Sequence, residues 1–253
     1  CRPAKINIHE KNSSQETRPG REQRGETIHT PVECAPRICF VTMPVATEEG
    51  TRQMHAMIAN EWCEPADLKL TELPDLVPGA GEVVIDVRAS ACNFFDILMV
   101  QGKYQVRPPF PFAPGGEVSG VVPAVGDGVN TVAPGDRVFT MLAWGGYASM
   151  ALAQAHDVVR MPDSMSFEHG AAFGIVYQTS YFGLVHRAHI QPDETLLVHA
   201  AAGGVGLAAV QIGRALGARV LATAGSERKL ALAKEHGAHE AFDYSDPAWG
   251  EQV

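Results

Sequence analysis

Residues 195–225, TLLVHAAAGGVGLAAVQIGRALGARVLATAG, restrict the possible fold more than any other stretch. Thr195 to His199 is an uninterrupted apolar run of the kind found in strands buried on both faces, and it runs straight into the small residues AAAGGVG. A helix is expected next. Val205, Ala209, Ile212 and Leu216 fall at i, i+4, i+7 and i+11, which stacks them on one face, and Gly217 supplies a stop. Arg219 to Thr223 then reads as a second strand, Glu227 to His236 as a second helix closed by Gly237, and Glu240 to Asp243 as the start of a third strand. The order β-α-β-α-β implies an α/β fold with a parallel sheet.

Ala200-x-x-Gly203-x-x-Gly206 lies where such a fold needs small residues. The turn must be tight, the backbone must approach a diphosphate, and the helix must pack closely on its strand, while its N-terminus offers free N–H groups to the anion. Ala202, Gly203, Gly204, Val205 and Gly206 are the candidate nucleotide-binding residues of this turn. After the second strand the chain reads Thr223-Ala224-Gly225-Ser226-Glu227-Arg228-Lys229. A carboxylate at the strand end would bind a ribose 2'-OH and repel a 2'-phosphate, and none is there. Ser226 and Lys229 offer a hydroxyl and a cation, with Arg228 as a second cation, so NADPH is expected over NADH. Glu227 argues mildly the other way.

Upstream, a different grammar holds. From Met54, short apolar runs alternate with Gly and Pro punctuation: LTELPDLVPGAGE, VVIDVRASAC, GEVSGVVPAVGDGV and PGDRVFTML. This reads as a β-rich unit with tight turns. The pattern switches at Ser166, the expected N-cap of one helix running through FEHGAAFGIVYQTSYFGLVHRA to a turn at Pro192-Asp193-Glu194. Residues 1–53 show no apolar period, carry eight Lys/Arg and seven Glu, and lack the hydrophobic core of a secretory signal. They read as a disordered leader of upstream or processed material.

Charge and cysteine usage exclude several classes. The chain carries a net −9, and residues 54–253 alone hold twelve Lys/Arg against 22 acids. That field repels nucleic acid and anionic lipid. The five cysteines, Cys1, Cys34, Cys39, Cys63 and Cys92, form no C-x-x-C pair, which suggests reduced thiols in a cytoplasmic protein. The uncharged run from Thr195 to Gly213 contains His199, Gln211 and four glycines, so it is not a membrane span.

Residues 54–253 resemble the quinone oxidoreductase, zeta-crystallin-like branch of the medium-chain dehydrogenase/reductase superfamily. The carriers are Asn93-Phe94-Phe95-Asp96 with Gly102-Lys103-Tyr104, Pro114-Gly115-Gly116-Glu117, Pro134-Gly135-Asp136-Arg137-Val138, Gly145-Gly146-Tyr147-Ala148, Gln178-Thr179 and His199 through Gly206. The resemblance implies a GroES-like β-rich catalytic domain over 54–175, followed over 176–253 by the first half of a Rossmann NADPH-binding domain, truncated at the C-terminus. It implies that Asn93 and Thr179 hold the nicotinamide region, that Asn93 and Tyr104 act at the substrate cleft, and that Tyr244 lies near the adenosine phosphate. Packing alone is a nearly equal account of Tyr244, and a buried ring bonded to backbone is an equal account of Tyr104. Zinc-dependent relatives place Cys and His where this chain has Asn93 and Gly116, so no metal is expected and Glu117 is read as a structural carboxylate.

The activity implied is hydride transfer from NADPH to a quinone. Reduction of an enone or enoyl thioester is the enzymatic alternative, and a non-catalytic NADPH-binding protein is the alternative from another class. The partners implied are a small-molecule quinone or enone and, at full length, a homodimer or tetramer. With only half of the dinucleotide fold in the sequence, the first strand is expected to leave an open apolar edge, and this chain to be weaker in binding and turnover than a longer one.

Overall fold

The computed structural model describes residues 53–253 and, before them, only the backbone of the strands β1 (Cys34–Ala35) and β2 (Ile38–Val41). The remainder of the segment read as a leader lies outside the described residues.

A hairpin of β3 (Met54–Ile58) and β4 (Lys69–Leu73) precedes the long strand β5 (Glu82–Ala91). Helix α1 (Phe94–Val100) follows, then β6 (Glu117–Val125), β7 (Arg137–Met141), β8 (Met150–Gln154) and β9 (Val159–Arg160). One sheet runs β1-β2-β5-β6-β7-β9, with β8 also paired to β5, and all its pairings are antiparallel. Val83, Ile85, Val87, Val118, Val122 and Val138 fill the space it encloses. These β-branched residues suit a pleated, buried surface. The sheet bends where the β5–β6 register shifts between Val84 and Asp86; Gly120 sits opposite, and a Cβ on it would lie 2.1 Å from the Asp86 carbonyl oxygen.

Ser166 is the N-cap, its Oγ accepting from the His169 N–H at 3.2 Å, but the helix it starts is not continuous. α2 (Phe167–Ala171) ends after five residues, α3 (Gly174–Tyr181) begins afresh, and its last turn passes into a π-helical turn at Phe182–Arg187. The restart has a partner from a distant part of the chain: the Ile175 N–H, which has no carbonyl to bond at a helix start, donates to the buried Glu117 carboxylate at 2.9 Å.

The second sheet is β10 (Thr195–Val198), β11 (Arg219–Ala224) and β12 (Glu240–Asp243), all parallel, with α4 (Gly204–Ala215) and α5 (Glu227–Glu235) as crossovers. The β-α-β-α-β order expected from the sequence is the one observed. Among the described residues β10 pairs only with β11 and leaves its other edge unpaired. The most buried face of α4 is Leu207, Val210 and Gly213, not the stripe Val205, Ala209, Ile212 and Leu216. Small residues surround this helix, so period alone does not choose its face. Contact with the strands does: a Cβ on Gly213 would lie 2.6 Å from Leu196 Cδ2 and 3.1 Å from Val220 Cγ2. No helix among the described residues is long and apolar enough to cross a membrane.

Candidate active site

The C-terminal ends of β10, β11 and β12 gather the residues read as nucleotide-binding. Ala200 takes φ +50, a left-handed conformation that an L side chain adopts at a cost of about 1–2 kcal/mol. Its carbonyl accepts from the Gly203 N–H at 3.0 Å, closing the turn. Gly206 is pressed against that turn: a Cβ there would lie 2.7 Å from the Ala200 carbonyl oxygen and 2.8 Å from Ala201 Cα. Ala202 is buried beneath it, and Gly203 is an N-cap without a side chain. The N–H groups of Gly204, Val205 and Gly206 have no acceptor among the described residues. A helix start of this kind, with Val205 exposed and nothing capping it, suits an anionic diphosphate.

Ser226 is the N-cap of α5, but its side chain makes no capping bond, and Lys229, one turn on, is half-buried without an ion pair among the described residues. Arg228 is exposed. Ala224 and Asp243 are directly paired, so Gly225 and Tyr244 leave the two strand ends side by side. Gly225 gives the Tyr244 ring its place, since a Cβ there would meet Cε2 at 2.8 Å and the hydroxyl at 3.0 Å. Tyr244 thus has a packing contact, and its exposed edge faces the same end of the sheet as Ser226.

Asn93, beside the antiparallel sheet, is the N-cap of α1. Its backbone N–H donates to Asp96 Oδ2 at 2.8 Å and its side-chain Nδ2 to Glu117 Oε2 at 3.2 Å. Tyr147 donates its hydroxyl to the same Asp96 oxygen at 2.9 Å. Both carboxylates are buried, and burial is the main reason their carboxyl groups are pushed up, Asp96 to about 6 and Glu117 to about 7. Tyr104 is half-buried with its ring 5.4 Å from that of Phe95, and its hydroxyl has no partner among the described residues.

α3 joins the two sides. Ile175 meets Glu117, while Val176 abuts Gly204, where a Cβ would lie 3.1 Å from Val176 Cγ1. Ser180, one turn beyond Val176, donates to the Val205 carbonyl at 2.8 Å. Thr179 lies one turn beyond Ile175 and is exposed. The sequence pointed to Thr179 and missed Ser180, Asp96 and the double role of Glu117. His199 bonds Thr223 Oγ1 at 3.1 Å through Nδ1, a structural contact. A recess of about 500 Å3 between α3 and α4, lined by Phe173, Tyr177, Tyr181, Phe182 and Ile212 among others, touches none of the predicted site residues. Its lining is mostly hydrocarbon and aromatic.

Residues 79–163 match the family described as "Alcohol dehydrogenase GroES-like domain", and residues 204–253 the family described as "Zinc-binding dehydrogenase". The quinone oxidoreductase of Homo sapiens is 41% identical over 199 residues, which cover 78% of this chain and 60% of that protein. The chain belongs to the medium-chain dehydrogenase/reductase superfamily. Its structural neighbours in the superfamily include the quinone oxidoreductase of Thermus thermophilus, solved also with NADPH, at 38% identity and TM-score 0.68, covering 78% of this chain and 63% of that one. The Escherichia coli quinone oxidoreductase complexed with NADPH is 34% identical with TM-score 0.70, covering 77% and 59%. The chain thus spans about three fifths of the length of the curated relatives it matches.

The second family description names zinc, yet any side chain at position 116 would displace the Phe95 ring. A Cβ on Gly116 would lie 2.2 Å from Phe95 Cζ. Among the described residues no group of three or more His, Cys, Asp or Glu is placed to hold a metal ion.

Proposed function

We propose that this protein is an NADPH-dependent oxidoreductase that reduces quinones without zinc. The observation that carries the reading is the uncapped N-terminus of α4 clamped by Gly206, reached through α3 from Asn93. NADPH bound there supplies a hydride. The chain's own part is to seat the diphosphate on the Gly204, Val205 and Gly206 N–H groups, to orient the nicotinamide end with Asn93 and Thr179, and to offer the Tyr104 hydroxyl to a substrate oxygen. Ser226, Lys229 and Tyr244 form the 2'-phosphate end. A quinone needs little activation, so positioning does most of the work and no Lewis acid is required. NADPH-bound relatives and the Phe95 ring crowding position 116 support this reading.

The same reading divides the chain into a catalytic unit over 54–175 and a nucleotide unit over 176–253. It places the protein in the cytoplasm as a dimer or tetramer with no nucleic-acid or membrane partner, in keeping with its net charge of −9. The test is oxidation of NADPH with phenanthrenequinone, followed by absorbance in chelator-washed protein. Turnover that survives chelation, with no stoichiometric zinc in the protein, is the expected result; turnover that requires added zinc rejects the metal-free part. An enone panel run alongside ranks the substrate classes.

Cofactor choice tests the other end of the cleft. Lys229→Glu is expected to weaken NADPH binding about tenfold or more and to leave NADH nearly unchanged, since one charge-assisted bond contributes about 1.5–3 kcal/mol. Fluorescence titration with each cofactor reads it. An unchanged preference places the 2'-phosphate elsewhere.

A further inference from the structure

Glu117 is wholly buried at the seam between the antiparallel sheet and α3. Its Oε2 accepts from Asn93 Nδ2 at 3.2 Å and its Oε1 from the Ile175 backbone N–H at 2.9 Å. Gly174 makes room for it, since a Cβ at that position would lie 3.1 Å from Oε1. Among the described residues no Lys, Arg or His pairs with it. Two neutral donors from two different parts of the fold therefore converge on one carboxylate. The ionised form accepts strongly at both oxygens at once; protonation turns one oxygen into a hydroxyl, a much weaker acceptor, and a carboxamide sets an NH2 donor against one of the two N–H groups. Packing alone does not call for this, because an apolar residue of similar volume would fill the seam without desolvating a charge.

We infer that Glu117 is a positioning residue, one carboxylate that ties the Asn93 side-chain amide to the first turn of α3 and thereby sets the spacing of Asn93 and Thr179 across the cleft. The nicotinamide between those two residues rests on the NADPH reading above; the brace itself does not. Ile175 and Thr179 lie one turn apart on the same side of α3, so a shift of the Ile175 N–H is carried to Thr179 by a rigid turn. Protonating Glu117 weakens its hold on one of its two donors.

Burial pushes the carboxyl up to about 7, with the Asp96 charge adding in the same direction and the Ile175, Asn93 and Gly174 donors opposing. From α1 it is faced by Asp96, and from α3 by backbone N–H groups alone. Its strand partner Met141 and the neighbouring Ser90, which bonds its backbone carbonyl, are uncharged. The brace is thus closed above neutrality and half-open near it.

The experiment follows the Asn93 side-chain amide and the Ile175 backbone amide by 15N NMR in the full chain from about pH 5 to about pH 9. Both signals are expected to shift together through one midpoint near 7 in the parent chain, and to be flat in Glu117→Gln. Glu117→Asp, shorter by one methylene, is expected to hold only one of the two donors. Where turnover is measurable, Glu117→Gln lowers kcat on the order of 10- to 100-fold and removes its rise near pH 7, with KM for the quinone little changed. If the glutamine variant does not fold, the parent titration decides alone: flat signals, or separate midpoints, overturn the brace. Signals that titrate together in a chain that neither binds nor oxidises NADPH keep the brace and remove the functional reading. Turnover with untitrated signals does the reverse.

Discussion

Gly206→Val is expected to weaken NADPH binding about 100-fold, near the upper end of the roughly 1–3 kcal/mol that overpacking a well-filled site costs. The contacts at this glycine are what make the effect large. The added Cβ would lie 2.7 Å from the Ala200 carbonyl oxygen and 2.8 and 2.9 Å from Ala201 Cα and C, all backbone atoms that cannot swing aside. Relief must come from opening the turn, and the turn has little slack. Ala200 already sits at φ +50, and Ala201 is held through its N–H to the Thr223 carbonyl at 2.9 Å. Moving it displaces the N–H groups of α4 from the position where a diphosphate would meet them. Gly183→Ala is the matched control, because nothing lies within 4 Å of a Cβ there. Fluorescence titration with NADPH, paired with thermal melting, separates local damage from unfolding. Normal binding by a folded Gly206→Val chain would mean that the diphosphate is seated elsewhere.

The parts of the fold legible in the sequence are those whose causes are local. Glu240–Asp243, read as the start of a third strand, is the whole of β12, and α5 ends one residue short of the expected His236, with Gly237 at φ +115 closing it. Strand, small-residue turn and helix follow one another within a few residues around Gly203, so the candidate nucleotide site was readable as well. The break between α2 and α3 was not. Its cause is a carboxylate 58 residues upstream, and nothing in AAFGIVYQ signals that Ile175 will donate to it. The buried face of α4 was likewise beyond the period of its residues, because the fit of Gly213 against Leu196 and Val220 decides it. For the same reason Glu117 read as a structural carboxylate with no named partner. Residue type is local information, and only the chain path brings Asn93 and Ile175 to its two oxygens.

Asp96→Asn is expected to change how stability depends on pH, and the direction is opposite to ordinary acid unfolding. Asp96 holds the Asn93 N–H and the Tyr147 hydroxyl on one oxygen, while its other oxygen, Oδ1, is buried without a hydrogen-bond partner. Burial outweighs these bonds and the opposing pull of the Gly115 and Gly116 N–H groups, and pushes the carboxyl up from 3.8 to about 6. The folded chain therefore binds this proton more tightly than the unfolded chain does. The stabilisation that follows is full below pH 3.8, declines as pH rises, and is gone above about 6. A displacement of this size corresponds to on the order of 3 kcal/mol across that window. Asparagine keeps an acceptor for both donors and carries no charge to desolvate, so the variant lacks this term. Urea unfolding of the parent and Asp96→Asn at several pH values should show the parent losing ground by roughly that amount between about pH 4 and about pH 7, and a flat difference above it. Other carboxylates titrate equally in both proteins and drop out of the comparison. Glu117 is the exception to watch, since loss of the Asp96 charge lowers its own midpoint and moves the brace towards its closed form at neutral pH. Parallel stability curves, or a parent that gains on the variant as pH rises, would show that the Asp96 charge is better accommodated than its unpartnered oxygen implies.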